Sequence, residues 1–78
     1  MYVYLIQSIN HPEKHYVGST DNLQDRLATH NREASIHTSK FAPWKITTYL
    51  WFDDRAKAKN FEVYLKTGSG RSFIKNRL

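Results

Sequence analysis

The stretch Tyr16-Val17-Gly18-Ser19-Thr20-Asp21-Asn22-Leu23-Gln24-Asp25-Arg26-Leu27-Ala28-Thr29-His30-Asn31 decides how the chain folds. It opens as a strand, breaks at Gly18, and restarts as a helix from about Asp21 to Asn31. Thr20 or Asp21 is the expected N-cap, because a short side-chain oxygen there accepts from the free N–H groups of the first turn. Asp21 with Gln24 three residues on resembles a capping box, with Asp in place of the usual Ser or Thr. Positions i, i+3, i+4 and i+7 share one helix face; from Leu23 they hold Leu23, Arg26, Leu27 and His30. Two of the four core-facing slots are therefore ionisable. Such side chains are rarely buried without a partner, so this face is expected to border a pocket.

Working outward, Tyr2 to Gln7 reads as a strand rich in aromatic and branched residues. Asn10-His11-Pro12-Glu13-Lys14 is a turn, since Pro12 cannot continue a ladder. His15 to Gly18 is then the second arm of a hairpin. Residues 32 to 43 are polar and read as a loop, with His37 solvated in it. Lys45 to Phe52 has apolar residues on both faces and is expected to be a well-covered third strand. Asp53 or Asp54 opens a second helix running to about Lys66, and Gly68-Ser69-Gly70 is expected to stop it. Arg71 to Leu78 closes the chain as a short basic helix. The order β-β-α-β-α-α predicts an α+β fold, a small three-stranded antiparallel sheet flanked by helices, in a single domain over residues 1–78.

The chain has 78 residues, 40% of them hydrophobic, with two Trp, five Tyr and four Phe, which suffices for one modest core. It has no cysteine, so neither disulfides nor a thiolate metal site holds the fold. The opening Tyr-Val-Tyr-Leu-Ile is too short and lacks the basic start of a signal peptide, and no run is long enough to span a membrane; a cytoplasmic location is expected. The net charge of +5 and a pI near 9.7 favour an anionic partner, of which nucleic acid is the commonest. His11 and His15 have helical i,i+4 spacing, but Pro12 interrupts any helix there, which argues against zinc. Gly68-Ser69-Gly70 follows a helix and is too short for a phosphate loop of the Walker or Rossmann kind.

The second helix repeats the anomaly of the first. Taking Ala58 as i, its inner face carries Phe61, Glu62 and Leu65, so a glutamate stands where an apolar residue belongs. Glu62 taken alone is a boundary residue, or a structural partner of Arg26. Taken with Arg26 and His30, it suggests polar groups converging on one sheet face around a site. Alternation puts Tyr2, Tyr4 and Ile6 on one face of the first strand, with Val3 and Leu5 on the other. Tyr16 on the paired strand then comes close to Tyr4 if the hairpin register allows. Gly18 is either just the turn into the helix or a place where a phosphate approaches the backbone. Cleaving a phosphodiester needs a base for water, a cation for the phosphate and help for the leaving oxygen. One Glu can hold a Mg²⁺ that keeps most of its waters; the scarcity of other inward carboxylates permits a one-metal site and argues against two.

These residues resemble the GIY-YIG nuclease family, in the small single-domain branch similar to the nuclease module at the start of UvrC. Tyr2-Val3-Tyr4 and Tyr16-Val17-Gly18 stand for the two motif tripeptides. The run Tyr-Val-Gly-Ser-Thr-Asp-Asn-Leu, then Arg26-Leu27 and His30-Asn31, Thr38-Ser39-Lys40, Pro43-Trp44, Glu62, Leu65-Lys66 and Gly70-Arg71 extends the likeness over nearly the whole chain. The resemblance implies a metal-dependent endonuclease acting on DNA, structure-guided or weakly sequence-specific. In it Tyr4 and Tyr16 are the motif tyrosines, one of them the base or its assistant, and Arg26 stabilises charge on the phosphate. His30 bonds a tyrosine or the water network, Glu62 binds one Mg²⁺ or Mn²⁺, and Gly18 keeps the site open. Two departures stand out: Tyr2 replaces the usual Gly, with Val in the middle of both tripeptides, and Ile74 stands where many members carry an Asn. That contact is either missing here or replaced by Arg71 or Lys75.

Lys40, Lys45, Lys66, Arg71, Lys75 and Arg77 are the candidates for tracking the nucleic-acid backbone, with Lys40, Lys66 and Arg71 foremost; singly, each also fits an ordinary solvated face. Two rival classes share the same surface: a catalytically inactive nucleic-acid-binding module, and an interaction module for an acidic protein. The residues leave the choice between DNA and RNA open.

Overall fold

The computed structural model describes residues 1–32 and 38–78. His37 and the neighbouring part of the expected loop lie outside the described residues. Three strands, β1 (Tyr2–Ser8), β2 (His15–Thr20) and β3 (Trp44–Trp51), form an antiparallel sheet in the order β2-β1-β3. Three helices pack on it, α1 (Leu23–Asn31), α2 (Arg55–Leu65) and α3 (Gly68–Arg77), with a short 3₁₀ turn at Ser39–Phe41. The α+β architecture read from the sequence is thus the one observed.

Strand β1 is central, and period-2 alternation gives it two apolar faces. On one face Tyr4 and Ile6 pack with Trp44, Tyr16, Leu23 and Leu27, which brings in α1. On the other, Val3 and Leu5 pack with Ala58, Leu65, Val17, Phe61 and Phe73, which brings in α2 and α3. The helices therefore sit on opposite faces of the sheet. The hairpin register pairs Tyr4 with Gly18 and Ile6 with Tyr16, so both motif tyrosines lie on the α1 face.

Several local expectations are corrected. Gly18 is no break: β2 continues through it to Thr20. The cap of α1 is Asn22, whose side chain accepts from the Asp25 N–H at 3.0 Å. Thr20 instead accepts from the Asn22 N–H, and Asp21, in place of a capping box, pairs with Arg55. Strand β3 is an edge, not a covered strand; Tyr49 and Trp51 are 57% and 59% exposed. A bulge contributes, because Leu5 pairs with Thr48 and Ile6 with Ile46, leaving Thr47 as the extra residue and reversing the side-chain parity along β3. Asp54 caps α2 by accepting from the Ala56 and Lys57 N–H groups.

The run Gly68-Ser69-Gly70 does not terminate α2; it is the first turn of α3, which Thr67 caps through the Gly70 N–H. At Gly70 a Cβ would overlap the Tyr64 carbonyl and the Leu65 backbone, so α3 begins pressed against the last turn of α2. Ala in place of Gly normally stabilises a helix by about 1 kcal/mol. Here the obstructing atoms are backbone and cannot rotate away. Gly70→Ala is therefore expected to destabilise the fold by about 1–3 kcal/mol, read as a lowered urea midpoint, whereas Gly68→Ala, with open space around it, leaves stability equal or higher.

Candidate active site

The expected site residues gather, but not on one sheet face. Tyr4, Tyr16 and His30 lie on the α1 face, whereas Glu62 comes from α2 on the opposite face. They meet around the outer edge of β2. Two features of that strand allow it. Gly18 has no side chain, so the Tyr4 ring lies across it, where a Cβ would overlap the phenol. The next residue, Ser19, points to the α2 face, and its hydroxyl donates to Glu62 Oε1 at 2.5 Å.

The Tyr4 hydroxyl contacts His30 Nε2 at 2.9 Å, and His30 Nδ1 contacts Thr38 Oγ1 at 2.7 Å. Tyr4, His30 and Thr38 are all buried. Burial, reinforced by the Tyr16 charge and opposed by Arg26, raises the Tyr4 pKa well above the usual phenol range. Burial, together with the Arg26 charge, lowers that of His30. At neutral pH the pair is therefore phenol and neutral imidazole. The phenol proton is assigned to the Nε2 contact, since His30 is the partner of this hydroxyl among the described residues. Nδ1 then carries the ring proton and donates to Thr38. The His30 ring also meets the edge of Tyr16, with centroids 5.1 Å apart.

Glu62 is half-buried, and its carboxylate is held from three sides. Oε1 accepts from Ser19, with the Lys59 ammonium at 3.7 Å; Oε2 accepts from Lys66 at 2.9 Å. Burial pushes this carboxyl upward, but the Ser19 and Lys66 hydrogen bonds and the two lysine charges outweigh it, so it stays ionised below the usual carboxylate range. A structural pair between Glu62 and Arg26 is not formed. Arg26 is exposed and makes no salt bridge among the described residues. Its charge nonetheless reaches both Tyr4 and His30.

Two grooves run from this point. One is lined by Ser19, Arg26, Arg55 and Lys59 together with Asp21 and Asp25, the other by Tyr16, Lys14, Lys66, Arg71 and Lys75 together with Glu13. Glu62 bonds to a residue of each, Ser19 and Lys66, and so lies between them. Lys66 and Arg71 thus adjoin the site. Lys40 lines neither groove; its ammonium lies 5.3 Å from the centre of the Phe41 ring. Lys45 is exposed on the edge strand β3, and Arg77 is exposed near the end of α3. Ile74 lines the second groove next to Lys75.

Three contributors were missed in the sequence. Ser19 was legible only through the hairpin register, which turns it toward α2; Lys59 stands three residues before Glu62, on the same side of its helix. Thr38 gives no periodic signal, because it follows the loop.

Among the described residues, no group of three or more His, Asp or Glu side chains gathers to hold a metal. The donor chemistry still fits one hard cation: an ionised, part-exposed carboxylate, one of whose oxygens is held only by a half-exposed lysine among the described residues. A family model described as the GIY-YIG catalytic domain matches residues 1–76. The chain belongs to the GIY-YIG family. The matched model is the catalytic domain of that family, which is the enzyme family expected from the sequence. Among curated proteins it is similar to the structure-specific endonuclease subunit SLX1 of Debaryomyces hansenii, 35% identical over 83 aligned positions. The alignment covers 97% of this chain and 24% of that protein, so this GIY-YIG chain spans about a quarter of the length of the relative it matches. No solved structure matches it. No helix among the described residues is long and apolar enough to cross a membrane.

The lowered His30 pKa sets a pH dependence. A proton that binds the unfolded imidazole more readily than the folded one favours unfolding as pH falls. Stability is then full above about pH 6.5, the unfolded value, and is lost as pH drops toward the lower folded value. Urea midpoints of the wild type should fall between pH 7.5 and 5.0, with a shallower slope in His30→Gln. An equal slope in both would assign the loss to other groups.

Proposed function

We propose that this domain hydrolyses DNA phosphodiesters with one divalent cation held at Glu62, and that it selects branched or flapped DNA over plain duplex. The observation that carries the reading is an ionised carboxylate that bonds to Ser19 of one groove and to Lys66 of a second, predominantly cationic groove that Tyr16 also lines. Family membership supports nuclease chemistry, and a relative named a structure-specific endonuclease subunit supports the substrate preference. A bound Mg²⁺ or Mn²⁺ supplies Lewis-acid stabilisation of charge on the phosphate.

The chain's own residues account for the remaining steps. Lys66 and Arg71 in one groove, and Arg26 and Lys59 in the other, draw in the phosphate backbone with little regard to base sequence. Arg26, exposed and in no salt bridge among the described residues, is the guanidinium assigned to a phosphate oxygen. Tyr16 lines the groove, so it is the tyrosine that an attacking water reaches; as phenolate, with its own proton given up to solvent, it is the one assigned to take the water's proton. Tyr4 is buried and stays protonated, so its part is to hold His30, which packs against Tyr16. Gly18 acts by leaving space for the Tyr4 ring.

Nicking assays on flapped, branched and plain duplexes, with Mg²⁺, Mn²⁺ or chelator, test the proposal. Cleavage should require the metal and favour the branched forms. Glu62→Gln and Arg26→Ala are each expected to lower the rate by at least about 10²-fold, the scale of losing one transition-state charge contact, while Glu62→Gln still binds DNA. Metal-free binding with no product at any protein level would instead support an inactive nucleic-acid-binding module.

A further inference from the structure

The two oxygens of Glu62 are not equivalent. Oε1 is anchored: it accepts from Ser19, a short side chain on a strand, and Ser19 Oγ is itself bonded by Lys59 Nζ at 2.9 Å. Oε2 is held only by Lys66 among the described residues. Lys66 is the C-cap residue of α2, 49% exposed along its side chain, on a long flexible stem. Its ammonium stands 2.9 Å from Oε2 and 5.8 Å from the centre of the Tyr16 ring, so it already faces the groove that Tyr16 lines.

We propose that Lys66 is a displaceable counter-ion, which occupies the cation position on Glu62 Oε2, leaves when a divalent cation arrives, and swings into the groove to meet a nucleic-acid phosphate beside Tyr16. The proposal rests on Glu62 being the cation ligand. A hard cation needs a carboxylate lone pair that faces solvent; the Lys66 ammonium takes one of the two on Oε2 and sets a positive charge beside the other, so its departure removes both obstacles. Once released, the ammonium joins Arg71 and Lys75 along the same groove, where the anion at hand is the phosphate backbone. Cation binding and substrate binding are thereby coupled through one side chain, and the coupling is reciprocal. A purely helix-stabilising i,i+4 pair has no such consequence.

Two measurements on the whole chain test this, neither of which reads cleavage. Calorimetric titration with Mn²⁺ compares wild type, Lys66→Met, Lys59→Met and Glu62→Gln, with circular dichroism confirming that each is folded. Removing the occupant of Oε2 should tighten Mn²⁺ binding about tenfold, a typical coupling magnitude. Lys59→Met removes an equal charge but leaves Oε2 occupied, so its effect should be clearly smaller. Acylation of Lys66 by an N-hydroxysuccinimide ester, followed by peptide mass spectrometry, should speed up in wild type on adding Mn²⁺ and slow again on adding a short duplex. Equal Mn²⁺ affinities in the two lysine variants, or acylation insensitive to Mn²⁺ or to DNA, would overturn the exchange while leaving Glu62 as the ligand. Unchanged Mn²⁺ binding by folded Glu62→Gln would overturn the ligand reading itself, and the exchange with it.

Discussion

The hydrogen bond between Tyr4 and His30 is the contact on which the rest of the structure turns. It opens a chain of polar contacts that runs from His30 Nδ1 to Thr38, from the Thr38 carbonyl to the Trp44 indole at 2.7 Å, and from the Trp44 backbone to the Asn31 side chain. Those groups belong to β1, α1, the segment before the 3₁₀ turn, and β3. Polar groups buried in this way are costly when unpaired and specify geometry when all are paired. None of the described buried side-chain polar atoms lacks a partner. The chain of contacts thus fixes the crossing of α1 over the sheet, and with it the distance from His30 to both motif tyrosines. Gly18 is the condition for all of it, because the Tyr4 ring reaches His30 only by lying where a side chain at 18 would stand.

Why the site lies at an edge follows from the packing of β1. A central strand covered by helices on both faces has no room for an open polar site. The edge strand β2 does, since side chains from either face can curl around it. Gly18 and Ser19, adjacent on β2, serve the two faces in turn, one admitting Tyr4 and the other anchoring Glu62. The fold unites chemistry from two layers that its own core keeps apart.

Much of this was legible in the sequence, for definite reasons. The face parity of Tyr4 against Val3 follows from period-2 alternation, and the ionisable positions of α1 and α2 follow from helical spacing. What failed were inferences that needed a neighbour. That Arg26, His30 and Glu62 break pattern says nothing about which side of a sheet each helix takes, so a single face was the simpler reading. The cap of α1 shifted to Asn22 because Thr20 and Asp21 found other partners, the Asn22 N–H and Arg55. Gly68 to Gly70 looked like a helix stop, because the sequence does not reveal that Thr67 restarts a helix against α2. The exposure of β3 depends on strand order, which alternation does not encode.

The charge arrangement around Glu62 has a logic of its own. Many hydrolytic sites gather several carboxylates to hold metal, and so present negative charge to an anionic substrate. Here a single carboxylate stands between two ammonium groups, so without any metal the cluster carries formal charge +1. A surface potential of that sign attracts the phosphate backbone before any cation is bound, in keeping with the +5 of the chain as a whole. The cost is a weaker cation site, since one carboxylate shared with lysines competes poorly for a hydrated ion. The single carboxylate between two ammonium groups therefore gives this edge of the sheet a positive charge in the absence of any metal.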